Sequence, residues 1–106
     1  MRKIEALGVI DTLYFTIATE ILDESLKMAD IEFLHKESAL GGKLVTLFIA
    51  GSVASVTEVI EFVNRLKETT HKEYIKNAIV ISRPHEGILE YILSPEEEAI
   101  SNGSEK

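Results

Sequence analysis

No cysteine occurs among the 106 residues of this chain. Thiol catalysis, cysteine-ligated zinc and cysteine-ligated iron–sulfur clusters are therefore excluded, and the fold has no disulfide to depend on. The three histidines, His35, His71 and His85, are far apart and lack the short spacings typical of metal ligands. We therefore expect no metal site and no cofactor.

Basic residues are scarce relative to acidic ones. Eleven Lys and Arg stand against eighteen Asp and Glu, which gives a net charge of −7. Such a surface repels phosphate backbones and anionic lipid, so we expect neither a nucleic-acid nor a membrane partner. No run of eighteen apolar residues occurs, and the first three residues lead into a strand-like segment rather than an apolar signal core. This pattern predicts an intracellular protein.

The length and the end of the sequence predict the domain organisation. A chain of 106 residues corresponds to one domain with a sizeable core. Residues 94–106 contain four Glu, one Lys and only two apolar side chains, Ala99 and Ile100. Burial of so little apolar surface cannot offset the entropy lost on ordering. We therefore predict a folded domain over 1–93 and a mobile acidic tail over 94–106.

Hydrophobic spacing predicts the secondary structure. In the first helix the apolar positions recur every three or four residues, at Phe15, Ala18, Leu22 and Leu26, with Ile17 and Ile21 beside them. Asp11 and Thr12 can cap this helix, and Ser52 can cap the second. The predicted elements are a strand over 4–10, a helix over 13–28, a strand from Asp30, a loop over 38–42, a strand over 43–50, a helix over 53–66, a strand over 77–82 and a short helix over 85–93.

The order of these elements predicts the fold class. Strand, helix, strand, strand, helix, strand is the ferredoxin-like βαββαβ arrangement, an α+β fold with a four-stranded antiparallel sheet and both helices on one face. A short C-terminal helix extends it. This fold alone does not identify a function, because regulators, small-molecule binders and enzymes share it.

Gly41, Gly42 and Lys43 stand in the predicted hairpin loop. A phosphate-binding loop would need a glycine at Glu37 and a hydroxyl residue at Leu44, and it would open a helix. A simple hairpin turn that uses glycine for positive φ is one interpretation. Another is a tip that points at the axis of a symmetric ring, where glycine lets backbones approach closely and aims amide groups into a channel.

The last predicted strand ends in Arg83, Pro84 and His85. Pro84 has no N–H and a fixed φ, so it ends the strand pairing and presents its two neighbours in a defined direction. Taken alone, Arg83 could be an ordinary surface residue. Lys27 could likewise be a lysine favoured by the dipole of the first helix.

Taken together, residues 5–12, Lys27, residues 44–47 and the Arg83-Pro84-His85 tripeptide resemble the shell-protein domain of bacterial microcompartments. The resemblance extends over about residues 4–93. It implies a structural protein rather than an enzyme, located in a microcompartment shell in the cytoplasm. It also implies a homohexameric disc that tiles edge to edge with other shell proteins around cargo enzymes.

The resemblance assigns Lys27, Arg83, Pro84 and His85 to the edge between hexamers. There the lysine would pack beside its symmetry mate, and the arginine would donate to backbone carbonyls of the next disc. Such roles suit an apolar lysine stem and a guanidinium with a rigid fork of donors.

The resemblance also assigns the pore, which would be lined by Ala39, Leu40, Gly41, Gly42 and Lys43. Many family members have a serine at position 42 and a lysine at position 39, so pore width and selectivity do not transfer to this chain. Many members also have a small residue where this chain has the 13–15 segment, Leu-Tyr-Phe.

Two other classes of function remain open at this stage. A ferredoxin-like small-molecule sensor explains the element order but leaves Lys27 and the Arg83-Pro84-His85 tripeptide as coincidence. A small enzyme would need a clustered catalytic set, and no such set is visible. Sedimentation distinguishes a shell protein from a sensor, since a shell protein would form a hexamer without ligand and a sensor more often a dimer.

Overall fold

The computed structural model describes residues 4–69 and 71–93. In this part of the chain, strands and helices follow one another in the predicted order, and a turn of 3-10 helix, Leu40–Gly42, joins the second and third strands. The elements are β1 Ala6–Leu13, α1 Phe15–Met28, β2 Ile31–Ala39, β3 Leu44–Gly51, α2 Val53–Glu68, β4 Ile75–Ser82 and α3 Glu86–Leu93. The predicted acidic tail lies outside the described residues.

The strands form one antiparallel sheet in the order β2-β3-β1-β4. This is the ferredoxin-like topology, and the predicted α+β fold class is confirmed. Leu13 pairs with Leu44 at one end of the sheet, and Ala6 pairs with Gly51 and Ser82 at the other. We name the first the tip end, because the β2–β3 hairpin turns there, and the second the far end.

The hydrophobic core lies between one face of the sheet and two helices. α1 packs on β2 and β3, whereas α2 packs on β4 and β1. Burying each aliphatic side chain contributes about 1.5–3 kcal/mol, so this layer holds the helices to the sheet. Fully buried residues of the core include Ile10, Ile21, Val45, Leu47, Ile49, Val56, Val59 and Val63.

The second face of the sheet is covered in part. Leu7 and Ala50 alternate with core residues and therefore point away from α1 and α2, yet both are buried. α3 packs against β2, and its Ile92 is buried. The short C-terminal helix thus adds apolar cover that the two longer helices do not provide.

β1 continues further than predicted, and the expected cap at Asp11 and Thr12 is wrong. Both residues belong to the strand. The Thr46 hydroxyl donates to the Asp11 carboxylate at 2.6 Å, and the buried Thr12 hydroxyl donates to the Tyr74 carbonyl at 3.1 Å. Cross-strand hydrogen bonds therefore hold both side chains in the sheet. By contrast, the predicted cap at Ser52 is confirmed, since its Oγ accepts from the backbone N–H of residue 55 at 3.1 Å.

The buried side of α1 is rotated from the predicted one. Ala18, Ile21 and Ser25 are buried, whereas Phe15 is 54% exposed and Leu26 is 44% exposed. The prediction that Phe15 and Leu26 belong to the core side is therefore wrong for the single protomer. The polar Ser25 tolerates burial because its hydroxyl donates to the Ile21 carbonyl at 2.7 Å.

Close packing of α2 on β1 predicts that Gly8→Ala is destabilising. The added Cβ would lie 2.8 Å from Cγ1 of Ile49 and 3.1 Å from Cγ1 of Val56. Overpacking of this kind costs about 1–3 kcal/mol, which urea unfolding would measure. In an Ile49→Ala background the cost of Gly8→Ala should shrink, because the clashing side chain is gone. Strict additivity of the two substitutions would contradict this account.

Candidate functional site

The hairpin between β2 and β3 is built from residues with positive φ. We name residues 39–43 the tip. Leu40, Gly41 and Gly42 have φ values of 55°, 67° and 89°, and the chain returns to right-handed geometry at Lys43, with φ −78°. Glycine adopts such angles without steric penalty, so the predicted need for glycine in this turn is confirmed. All four of these residues are exposed.

The tip has open space around it but is tied to the body of the domain. Apart from the adjoining residues of the chain, no atom of the described residues lies within 4 Å of where a Cβ would stand on Gly41 or Gly42. Within the tip the Lys43 N–H donates to the Leu40 carbonyl at 3.3 Å. The Lys43 carbonyl accepts from the Tyr14 N–H at 2.8 Å. The start of α1 therefore supports the hairpin.

Tyr14 and Tyr74 are neighbours of the tip that sequence reasoning did not assign to the site. Their rings are 6.0 Å apart between centroids, at an angle of 59°. The Leu13 N–H donates to the Tyr74 carbonyl at 2.7 Å. Residues so distant in sequence meet only because β4 pairs with β1, so no local pattern could have indicated the contact.

Lys27 and Arg83 lie at the far end of the sheet. Lys27 is in the last turn of α1, just before β2 begins, and Arg83 directly follows β4. Both side chains are exposed. Because strands of eight residues separate the two ends, these cations are roughly 25 Å from the tip along the sheet. The structure thus brings the predicted edge residues to one end and the predicted pore residues to the other.

A backbone hydrogen bond holds the start of the Arg83-Pro84-His85 segment against the chain just before β1. Arg83 has φ 51°, and its N–H donates to the Glu5 carbonyl at 2.8 Å. Pro84 is half-buried, and the strand ends at Ser82, immediately before this segment. The predicted end of sheet pairing at this tripeptide is confirmed.

The side chain of His85 turns towards the start of α3. Its Nδ1 accepts from the Gly87 N–H at 2.9 Å, and its carbonyl accepts from the Ile88 N–H at 3.0 Å. His85 therefore caps α3 in the way that Ser or Asn caps other helices. The sequence placed this residue at the edge but gave no indication of its role within the protomer.

Exposed apolar side chains lie near both edge strands of the sheet. On the α1/β2 side they are Phe15, Leu26 and Phe33. Near β4 they are Tyr74, at the tip end, and Ile79, which pairs with Val9 and shares the second face of the sheet with it. The α1/β2 side also contains a groove of about 330 Å³. Phe15 and Phe33 both line this groove.

The described residues contain no group of three or more His, Asp or Glu side chains placed to hold a metal ion. Across the described ranges, no helix has the length and apolar content needed to span a membrane.

The family model of the BMC domain matches residues 6–84 of the chain. The chain belongs to the BMC-domain family. It is 38% identical over 92 residues to carboxysome shell protein CcmK1 of Synechocystis sp., which covers 83% of this chain and 78% of that protein. It is 34% identical over 89 residues to carboxysome shell protein CcmK2 of Synechococcus elongatus, which covers 83% of this chain and 84% of that protein.

A solved structure shares the fold. A microcompartments protein from Desulfitobacterium hafniense DCB superposes with a TM-score of 0.68 at 18% identity, covering 87% of this chain and 48% of that one. The expected family, bacterial microcompartment shell proteins, is therefore confirmed. The BMC-domain protein has a structural role in a microcompartment shell in the cytoplasm, as expected.

The cap on α3 predicts a graded effect of His85 substitutions. His85→Ala removes the acceptor for the Gly87 N–H and should weaken the start of α3 by about 1 kcal/mol. Hydrogen–deuterium exchange of α3 amides should then rise roughly fivefold. His85→Asn keeps an acceptor and should stay close to the parent. Equal protection of α3 in the parent and in His85→Ala would show that the cap does not stabilise the helix.

Proposed function

We infer that the BMC-domain protein assembles into homohexameric discs that tile edge to edge, and that the tip surrounds a central opening for small polar metabolites. The single observation that carries this proposal is the separation of the tip from the predicted edge residues. The tip stands at one end of the sheet, and Lys27 with the Arg83-Pro84-His85 segment stands at the other.

The separation suits a ring whose strands run outward from its axis. With the tip at the axis, the far end of each protomer would lie at the rim, roughly 25 Å further out. Lys27 and Arg83 would then face the neighbouring disc. Both are exposed, and the backbone of Arg83 is held by the Glu5 carbonyl at 2.8 Å. A fixed backbone directs the guanidinium towards carbonyl acceptors across the edge.

The lateral sides suit a head-to-tail contact between protomers. Phe15 and Phe33 are exposed on the α1/β2 side, and Ile79 is exposed on the edge strand β4. The two apolar sides differ, so each would contact the opposite side of the next protomer. Contacts of this heterologous kind close into rings when the rotation allows.

The tip suits an opening lined by main-chain groups. Gly41 and Gly42 contribute no side chains, and among residues 4–69 and 71–93 none beyond their chain neighbours fills the space where a Cβ would stand. Backbone N–H groups that converge on an axis carry partial positive charge and favour anionic or polar solutes. Lys43, exposed at the end of the tip, would add a full positive charge.

Assembly at the edge is tested by Lys27→Ala and Arg83→Ala. We expect each variant to form the hexamer but to lose sheet formation, because a loss of about 1 kcal/mol per contact is repeated at every edge. Sedimentation velocity would measure the hexamer, and electron microscopy would measure the sheets. Lys72→Ala, an exposed lysine in the turn before β4, is the matched control. Variants that tile like the parent would refute the edge assignment.

Obstruction of the opening is tested at Ala39 rather than at a glycine. Gly42 has φ 89°, where a bulky residue would be strained, whereas Ala39 is extended at φ −142° and exposed. Ala39→Trp would place one indole per subunit at the same opening, so leakage of small metabolites from assembled shells should fall. Ala54→Trp, at an exposed position on α2, is the control. Intact rings with unchanged leakage would remove the tip from the transport path.

A further inference from the structure

Tyr14 connects the tip, β1 and α1 through its own backbone. Its N–H donates to the Lys43 carbonyl at 2.8 Å, and its carbonyl accepts from the Ala18 N–H at 3.2 Å to open the helix. One residue therefore both anchors the tip and starts α1. Any change in its backbone angles would move the tip relative to the body of the domain.

The backbone of Tyr14 is in a conformation that favours glycine. Its φ is 69° and its ψ is 134°, well outside the regions that residues with a Cβ prefer. Glycine, which has no Cβ, would adopt this positive φ at a lower steric cost than tyrosine. A tyrosine here therefore needs contacts that hold it in place, and strained residues of this kind are concentrated at functional positions.

The ring of Tyr74 supplies such a contact. The two rings pack at 6.0 Å between centroids, in a tilted geometry that aromatic pairs prefer. Tyr74 is itself fixed on the end of β1, since its carbonyl accepts from the Leu13 N–H at 2.7 Å and from the Thr12 hydroxyl at 3.1 Å. Tyr14 remains 47% exposed and Tyr74 39% exposed, so burial in the core does not explain this pair.

We propose that Tyr14 is a positioning residue for the tip. The packing of its ring on Tyr74 holds the strained backbone, and this backbone directs the N–H that fixes the Lys43 carbonyl. The Tyr14–Tyr74 pair thereby sets the geometry of the opening and its discrimination among solutes. This inference rests on the proposed pore function.

The proposal and a purely structural turn predict the same relief of strain in Tyr14→Gly but different order at the tip. If Tyr14 only turns the chain, glycine relieves strain and leaves the tip unchanged. If its ring positions the tip, glycine still relieves strain, but the N–H to Lys43 is no longer held. Stability should then stay the same or rise while order at the tip falls. A Tyr14→Gly protein whose stability is unchanged or higher, but whose tip is less ordered, would identify a positioning role.

The experiment compares Tyr14→Gly, Tyr74→Ala and Tyr14→Phe in the full chain. Tyr74→Ala removes the ring but keeps the carbonyl that binds β1, and Tyr14→Phe keeps the ring contact. We expect the first two to raise hydrogen–deuterium exchange of the residue 14 amide about tenfold and to reduce the ratio of leakage rates between a small and a larger polar solute. Tyr14→Phe should match the parent. Val53→Ala, at an exposed apolar position at the start of α2, is the control.

The outcomes distinguish this proposal from the proposed function. Tyr14→Gly and Tyr74→Ala proteins with parental exchange at residue 14 and parental solute discrimination would overturn the role of Tyr14. Failure of the parent to form a ring would instead overturn the pore function. In that case exchange at residue 14, measured on the protomer, would still decide whether Tyr14 holds the tip.

Discussion

The pairing of β1 with both of its neighbours is the constraint on which the site depends. Its register with β3 and β4 places Leu13 and Leu44 beside the tip and Ala6 and Ser82 at the far end. A slip of one residue would turn every core side chain of β1 towards the other face. The 2.6 Å hydrogen bond from Thr46 to Asp11 joins two directly paired residues and adds specificity to this register.

Local patterns predicted the elements well because hydrophobic spacing reports on burial within a single protomer. The order of the elements along the chain, the cap at Ser52 and the positive φ of the hairpin glycines all follow from residues that are neighbours in sequence. The same spacing failed at Phe15 and Leu26, which are apolar but exposed. Periodicity identifies an apolar side of a helix, but it does not distinguish a side that meets the core from one left for another protein.

Only those parts of the candidate site that are short, continuous segments of the chain could be predicted from the sequence. Pro84 indicated by its own chemistry where sheet pairing ends, whereas Lys27 and Arg83 were assigned to the edge only through the family resemblance. The contact of Tyr14 with Tyr74 was not visible, since it depends on the pairing of β1 with β4 and on a backbone angle that leaves no trace in composition. The cap formed by His85 was hidden for a different reason, because histidine is not among the usual capping residues.

The two ends of the sheet differ in kind, and the proposed function gives each end a different task. In that proposal, contacts between discs would form and separate during assembly, which suits exposed cations such as Lys27 and Arg83, whose individual contributions are small. The proposed opening would need to keep one geometry, and mobile side chains would make its width fluctuate. The tip accordingly uses main-chain groups at Gly41 and Gly42, and a hydrogen bond from a strained neighbour fixes its position. Strain at Tyr14 is therefore best understood as the consequence of holding a side-chain-poor loop still.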